Sequence, residues 1–384
     1  MKSFHVDDLV PFPEEHVAEQ EFLDEFPWFS TPRSDFLMAF GEFWNRRGTE
    51  SGDILFIICG SATSWIIKNV LDNTGSLYQR VTCQIFLAPF SLHESELFLN
   101  DRDFGWSRSQ IMECQMIFGG LPFFMDLLNR NESLRQNVDR LMFRERALLR
   151  GESNRLLETT LKKTPAYGQI LEVLSKCRYG MMKSECQTML GLADGTFSRA
   201  VEDLIKCGYI TEYKRRYEKR NPLYLQLTDP FLLFHYHFLS KESDITSYAD
   251  LERNSGSFSN WRGCAFELLC LRHIDQIKSA LGISGVKTSH FPWVSMNKEN
   301  GAQIDLVIER DDRITDICEM KCTDNPFILT KDYENRLLTK SNVFQAETGT
   351  KQALKIVLIS SEGIAGTAHT EYLANVITLD DLFD

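Results

Sequence analysis

The most regular alternation of apolar and polar residues lies near the carboxyl end, in the run GAQIDLVIERDDRITDICEMKC over residues 301–322. Ile304, Leu306 and Ile308 occupy alternate positions, and a second apolar run covers residues 314–320 after a short acidic turn. A period of two is typical of a half-buried strand, and two such runs around a tight turn indicate a hairpin. The pattern therefore predicts two paired strands here.

Around this hairpin the pattern predicts further elements. A helix with one acid, Glu267, covers residues 263–274, a second helix lies around residues 333–344, and a continuous apolar run at 353–360 indicates a buried strand. A last short strand is expected at residues 376–379. The polar, acidic stretch before the first helix, residues 240–260, is predicted to be a linker that includes a short helix.

The middle of the chain alternates between helical and strand periods. Helical patterns at residues 166–176, 183–190 and 195–204 are followed by strand patterns at 207–213 and 222–227. A short turn separates the second helix from the third. Three helices followed by a two-stranded hairpin are typical of a winged helix-turn-helix.

The amino-terminal part combines strand and helix patterns. A short apolar stretch ends in Asp24 and Glu25, helical spacing follows at residues 36–44, and an apolar run at 54–60 leads into Ser61. A run of this kind indicates a strand buried on both faces. A longer helical pattern covers residues 121–149, and it is equally consistent with a helical lid and with a plain helical connector.

Composition narrows the class of protein. The chain has 384 residues, of which 43% are hydrophobic and 25% charged, as in globular proteins that hold two or three domains. No apolar run approaches the roughly 20 residues that cross a bilayer, and the start MKSFHVDD is not a signal peptide. We therefore expect a cytoplasmic protein with no membrane contact. The net charge of -12 means that any nucleic-acid contact must come from a local basic patch.

The predicted hairpin carries the strongest candidate chemistry. Glu319 and Lys321 lie two apart and project from the same face of their strand, and pairing brings Asp305 beside them. Carboxylate oxygens of Asp305 and Glu319 suit Mg²⁺, and Lys321 would stabilise charge on a phosphate. This predicts a metal site for phosphodiester cleavage, which Glu267 would complete. The alternative is a set of ordinary ion pairs on an exposed sheet face.

The predicted wing carries the densest basic cluster. The sequence KRRYEKR supplies five cations in seven residues, and the helix before it supplies one more. Basic side chains at such positions bind the phosphates of duplex DNA. The predicted DNA contacts are Arg199, Lys214, Arg215, Arg216, Lys219 and Arg220. A solvated hairpin tip or a protein-contact module is the alternative.

Four successive blocks carry a resemblance to a known family. LDEFPWFSTPRSDFLMAFGEFWN, CGSATSWIIKNVLDNTGSLYQR, LAPFSLHESELFL and FGGLPFFMDLL resemble, in order, blocks of the archaeal-type ATPases, which are AAA+-like proteins. The resemblance implies an α/β multidomain fold: a partial AAA+ P-loop core at residues 1–92, a helical lid at 93–155, a winged helix-turn-helix at 156–240 and a nuclease-like domain at 255–384. It also implies ATP as the family's cofactor.

The resemblance assigns roles near a nucleotide to four residues. Asp24 and Glu25 match the pair that holds the magnesium shell and polarises water, Ser61 takes the sensor position, and Arg80 is the arginine that reaches a phosphate. The P-loop G-x-x-x-x-G-K-[ST] has no match, since no Gly-Lys dipeptide occurs in the chain. We expect a chain shortened at its amino end, in which ATP hydrolysis is not expected because the phosphates have no cradle.

The carboxyl-terminal order of elements is similar to the PD-(D/E)XK nuclease fold. Asp305, Glu319 and Lys321 match its motif, Glu267 matches the acid of its first helix, and Ile304 stands where a proline is frequent. The resemblance implies an α/β nuclease-like domain that cleaves or binds DNA with Mg²⁺. The rival hypotheses are a non-catalytic DNA-binding or regulatory scaffold and a decayed gene fragment. The oligomeric state, a homo-oligomer included, stays open.

Overall fold

The computed structural model describes residues 19–31, 34–48, 54–60, 63–72, 75, 77, 79–151, 164–218, 222–240, 245–297, 301–366 and 370–384. The chain is a mixed α/β protein with several sheets, and it divides into two compact units. The first comprises Met1–Leu87 and Leu156–Lys163, and the second comprises Ala88–Arg155 and Thr164–Asp384. The predicted helical, winged-helix and nuclease-like segments therefore share one compact unit for most of their length.

The first unit contains a short parallel sheet. Its strands are β1 (Glu19–Leu23) and β2 (Ile54–Ile58), which pair in parallel with Leu23 opposite Ile58. Parallel strands need a crossover connection, which here contains the helix α1 (Phe36–Phe43) and a π turn at Trp44–Gly48. A 3-10 turn precedes α1, and helix α2 with a second π turn follows β2; their bounds are Phe26–Phe29, Thr63–Ile66 and Ile67–Leu71.

The second unit begins with a group of helices. Their bounds are α3 (Leu92–Asn100), α4 (Arg108–Phe118), α5 (Pro122–Asp126) and α6 (Leu134–Val138), followed by a π turn at Asp139–Phe143. Helices α3, α4 and α6 each begin with a capping box, in which Ser91, Ser107 or Ser133 exchanges hydrogen bonds with the residue three positions on. Such boxes satisfy backbone N–H groups that a helix start leaves unpaired, which explains why the chain turns helical at these serines.

Residues 164–228, called the middle segment below, contain three helices and two strands at nearly the predicted positions, together with a two-residue strand that the pattern does not predict. The elements are α7 (Pro165–Ser175), β3 (Met181–Met182), α8 (Lys183–Leu190), α9 (Asp194–Lys206), β4 (Ile210–Lys214) and β5 (Leu223–Leu227). The strands form an antiparallel sheet in the order β3-β5-β4. Helix α9 is amphipathic and buries Phe197, Ala200, Val201 and Leu204. Because these apolar residues recur at helical spacing, the sequence pattern predicts this helix.

The predicted linker over residues 240–260 contains the short helix expected in it, but its last residues, 255–260, already belong to the next helix. Helix α10 (Pro230–Phe234) continues in a π turn at His235–Leu239. Helix α11 (Tyr248–Arg253) is separated from α12 (Ser255–Arg272) by a single residue. Tyr248, Leu251 and Phe258 are buried, and Phe258 stacks on Trp261 with ring centroids 5.5 Å apart. A few large side chains at helical spacing order this stretch, although its average composition is polar.

The carboxyl-terminal part is a five-stranded mixed sheet. Its elements are α13 (Ile274–Ala280), β6 (Thr288–Val294), β7 (Gln303–Arg310), β8 (Ile314–Lys321), α14 (Lys331–Thr348), β9 (Ala353–Ser360), β10 (Leu373–Thr378) and a 3-10 turn at Asp380–Leu382. The strand order is β10-β9-β8-β7-β6, antiparallel from β6 to β8 and parallel from β8 to β10.

The predicted hairpin is confirmed as β7 and β8. Their ladder pairs Leu306 with Cys318 and Ile308 with Asp316, and Arg313 takes a positive φ of 68° in the turn. Phe291, Trp293 and Phe344 cover one face of the sheet with residues of β7 and β8. Across the described chain, none of the helices has the length and hydropathy of a membrane span.

Candidate active site

Asp305 and Glu319 lie side by side in the centre of the sheet. Both are 5% exposed, and the ladder that pairs Leu306 with Cys318 places them one step further along β7 and β8. The Met320 N–H donates to Asp305 Oδ2 at 2.9 Å, which fixes the Asp305 carboxylate against the neighbouring strand. The sheet therefore brings together the two acids that the sequence predicts as metal ligands.

Three side chains surround the Glu319 carboxylate. The Lys321 Nζ lies 2.9 Å from Oε1, the Tyr333 hydroxyl donates to the same oxygen at 2.6 Å, and the Lys340 Nζ donates to Oε2 at 2.6 Å. Tyr333 and Lys340 lie seven residues apart on α14, with the buried Leu337 between them on the same face. Glu319 is thus held in one orientation from two elements.

Glu267 enters from helix α12 and is 6% exposed. Its carboxylate faces Arg178 of the middle segment, whose Nε donates to Oε2 at 3.0 Å and whose Nη2 donates to Oε1. The same Nη2 lies 3.9 Å from Asp305 Oδ1. A guanidinium is the side chain best suited to this bidentate geometry. Arg178 therefore bridges Glu267 and Asp305.

The neighbouring Tyr179 completes the contact between the middle segment and the sheet. Its hydroxyl donates to Asp305 Oδ1 at 3.0 Å, across 126 positions of the chain. Arg178 and Tyr179 lie in the short loop between α7 and β3, called the insertion loop below and defined as residues 176–180. Each described carboxylate of the site therefore has a hydrogen-bond partner.

The charges of this cluster balance. Glu267, Asp305 and Glu319 supply three carboxylates, and Arg178, Lys321 and Lys340 supply three cations within the ion-pair distances given above. Burying a carboxylate is costly unless a cation and hydrogen bonds compensate it. The site is compensated by the chain's own side chains.

The surroundings shift the pKa values of the acids in different directions. Burial raises the pKa of Glu267, against the opposing effect of the Arg178 hydrogen bonds, and burial with the Glu319 charge raises the pKa of Asp305. Burial acts in the same sense on Glu319, but the charges of Lys321 and Lys340 outweigh it and lower that pKa. Glu319 is therefore the acid most firmly kept as a carboxylate.

The donor types of the site fit Mg²⁺, which takes carboxylate oxygens and keeps several of its own waters. Within the described residues, no three histidine, cysteine, aspartate or glutamate side chains are grouped so that they could hold a metal ion. Arg178, Tyr179, Lys321 and Lys340 contact the carboxylate oxygens of the three acids. The three acids are therefore paired with cations of the chain itself.

The predicted DNA-binding residues have different surroundings. Arg199 on α9 and Lys214 at the end of β4 are exposed. Arg215 is 15% exposed, lies over the Tyr224 ring at 3.9 Å and pairs with Glu218, while Arg216 pairs with Glu309 of β7. Two further predicted contacts, Lys219 and Arg220, lie outside the described residues. The described tip of the hairpin thus makes contacts within its own unit.

The residues that the sequence assigns to a nucleotide lie in the first unit. Asp24 follows β1 directly, and its Oδ1 accepts hydrogen bonds from the Cys59 thiol at 2.8 Å and the Glu25 N–H at 2.9 Å. Burial and Asp24 raise the pKa of Cys59 to about 11. Glu25 takes a left-handed conformation with φ 48°, and Arg80 is exposed. Ser61 lies outside the described residues.

Four residues of the cluster were not predicted from the sequence. Tyr333 and Lys340 could have been found, because their spacing of seven places them on one face of a predicted helix. Arg178 and Tyr179 carry no local signal, since the loop that holds them follows an ordinary amphipathic helix. Their place in the site depends on how the middle segment packs against α12 and β7.

Comparisons with known proteins add a structural likeness. No family model matches the chain, and no curated protein matches it. Among solved structures, a Walker-type ATPase of Pyrococcus abyssi is similar at 15% sequence identity and a TM-score of 0.42, over 57% of this chain and 63% of that one. The match thus spans less than two thirds of the length of the Pyrococcus protein.

Proposed function

We propose that α12 and the carboxyl-terminal sheet form a Mg²⁺-dependent DNA-cleaving site of the PD-(D/E)XK type, and that the middle segment is a winged helix that contacts DNA. The observation that carries the proposal is the convergence of Glu267, Asp305 and Glu319, all buried, with Lys321 beside Glu319. The order helix, strands, helix, strand around them is the order expected of that fold. Burial of three acids at one point is costly, and catalysis is a reason to keep them.

Each residue would have a distinct role in phosphodiester hydrolysis. Mg²⁺, when bound, would lower the pKa of a water and neutralise charge on the phosphate. Asp305 and Glu319 would hold the cation, and Lys321 would stabilise negative charge that develops on the phosphate oxygens. Tyr333 and Lys340 would keep Glu319 oriented. Hydrolysis joins a water oxygen to phosphorus and breaks the bond to the sugar oxygen, which takes up a proton.

Cleavage of a labelled DNA duplex in Mg²⁺ tests this proposal. We expect Asp305→Asn and Lys321→Ala each to lower the rate at least about 100-fold, because the first removes a ligand of the cation and the second a charge that stabilises the phosphate oxygens. Asp311→Ala is the matched control, since Asp311 is an exposed acid in the turn of the same hairpin. Equal background cleavage by the wild type and all three variants would show that the nuclease assignment is wrong.

A non-catalytic regulatory scaffold is the second candidate function. The full pairing of the acids with Arg178, Lys321 and Lys340 favours it, because a site whose charges already balance has no need of a metal. The proposal includes no ATP hydrolysis by the first unit. The sequence contains no Gly-Lys dipeptide, so the lysine that a P-loop directs at the phosphates has no counterpart.

A further inference from the structure

The insertion loop contacts the acids to which the proposed function assigns a divalent cation. Arg178 donates to both oxygens of Glu267 and lies 3.9 Å from Asp305 Oδ1, to which the Tyr179 hydroxyl also donates. A carboxylate oxygen that already accepts these bonds has lost lone pairs that a metal would need. A cation added to the balanced cluster would also meet three fixed positive charges.

The insertion loop is held in this position by the rest of the middle segment. Gln226 Nε2 donates to the Arg178 carbonyl at 3.1 Å, and Arg215 Nη2 donates to the Tyr179 carbonyl at 3.0 Å. Gly180 has a φ of +69°, and a Cβ there would lie 2.5 Å from the Leu225 carbonyl oxygen. Hydrogen bonds therefore fix the carbonyls of Arg178 and Tyr179, and the next position requires glycine. The conformation of the insertion loop is thus set by the middle segment itself.

The hairpin tip, residues 215–218, makes a second attachment to the sheet. Arg216 pairs with Glu309 and donates to Ser289, and the Tyr217 hydroxyl donates to Glu309. The Tyr217 ring packs between Phe291 and Phe344, with centroids 6.3 and 6.0 Å away. The middle segment thus docks on the nuclease-like part at two places, the insertion loop and the hairpin tip.

We propose that the middle segment inhibits the site from within the chain: Arg178 stands in for a divalent cation, and the site opens when the segment withdraws the insertion loop. This inference rests on the proposed function, because it assumes that the acids bind a metal in the open state. A cavity of about 250 Å³, lined by Arg178, Gln226 and Cys264 among others, leaves the packing between the segment and α12 incomplete. Such an interface separates at a lower cost than a fully packed one.

The chemistry of the hairpin tip indicates what opens the site. The Arg216 side chain is 51% exposed although it pairs with Glu309, so phosphates of a nucleic-acid backbone can reach it. A guanidinium that binds a phosphate leaves its carboxylate partner, which undocks the tip. The substrate class itself would then release the inhibition.

Titration of the full chain with Mn²⁺, followed by calorimetry, tests the inhibition without relying on cleavage. We expect Arg178→Gln to bind Mn²⁺ at least about 10-fold more tightly than the wild type, because a site that is open a tenth of the time loses that factor in apparent affinity. Arg216→Ala should strengthen binding in the same sense while leaving the buried cluster untouched. Lys176→Ala, an exposed cation of the same loop, should match the wild type, and Asp305→Asn should lose binding.

The outcomes separate this inference from the proposed function. If Asp305→Asn abolishes Mn²⁺ binding while neither Arg178→Gln nor Arg216→Ala strengthens it, the inhibition is wrong and the metal site stands. If none of these proteins binds Mn²⁺, both proposals fall.

The opening step has its own test. In buffer without divalent metal, a DNA duplex should speed amide hydrogen exchange in residues 176–180. Unchanged exchange there overturns the role of nucleic acid.

Discussion

At the scale of single residues, Glu319 shows how a buried carboxylate is kept charged. It is 5% exposed, and two ammonium groups and a phenol hydroxyl contact its oxygens from β8 and α14. Removing one partner of such a group leaves an under-compensated charge, which costs more than the pair contributes when intact. Lys340 of α14 is therefore expected to stabilise the folded chain as well as to orient the Glu319 carboxylate.

We expect Lys340→Met to lower the free energy of unfolding by about 1–3 kcal/mol, less than the usual cost for a fully buried pair because Lys340 is 25% exposed. Urea unfolding of the full chain at neutral pH measures the difference. Lys331→Ala is the matched control, since Lys331 is 65% exposed on the same helix and pairs with Glu334. A change as small for Lys340→Met as for the control would show that Lys321 and Tyr333 suffice.

At the scale of elements, the sequence predicted what depends on local pattern and missed what depends on packing. The alternation at residues 303–309 and the apolar run at 314–320 are distinct enough that both strands and the positions of Asp305 and Glu319 follow from the sequence. The sequence pattern assigns the start of α12, residues 255–260, to the linker because its few large side chains are diluted by polar neighbours. The Tyr179 contact with Asp305 joins positions 126 apart in the chain, and local hydrophobic periodicity cannot predict a contact at that distance.

Helix α12 is joined to α3 through one histidine. His273 Nδ1–H donates to the Leu269 carbonyl at 2.8 Å, and its Nε2 accepts the Leu92 N–H at 2.9 Å. These two bonds require the neutral ring, because a protonated Nε2 cannot accept. Burial lowers the pKa of His273, with a smaller contribution from the Arg272 charge, although the hydrogen bond to Leu269 opposes both.

The lowered pKa of His273 makes stability fall with acid. The unfolded chain binds the proton near pH 6.5 and the folded chain only below that, so this contribution is present above about pH 6.5 and is lost as the pH falls toward the folded pKa. We expect the free energy of unfolding of His273→Gln to change less with pH between 7.5 and 5 than that of the wild type. The difference in slope is up to about 1.4 kcal/mol per pH unit. His93→Gln, at an exposed position of α3, should keep the wild-type slope.

At the scale of the whole molecule, a net charge of -12 opposes any contact with DNA. Binding must then depend on few cations, and at least one of them, Arg216, is already paired with an acid of the same unit. Each such internal pair lowers the affinity for phosphate, because the pair must separate first. The acid partner is therefore expected to control DNA affinity as strongly as the cation does.

Glu309→Gln should tighten binding of a DNA duplex by about 2- to 5-fold, the range for an ion pair with one solvent-exposed partner, because it frees the Arg216 guanidinium. Arg216→Ala should weaken binding. It should also reduce the magnitude of the slope of log affinity against log salt concentration by about the amount that one phosphate contact contributes. Fluorescence anisotropy of a labelled duplex in metal-free buffer at several salt concentrations measures both. Asp311→Asn is the decisive control, since it removes one negative charge from an exposed position of the same hairpin. If it tightens binding as much as Glu309→Gln does, the gain comes from net charge, and the Arg216–Glu309 pair does not compete with DNA.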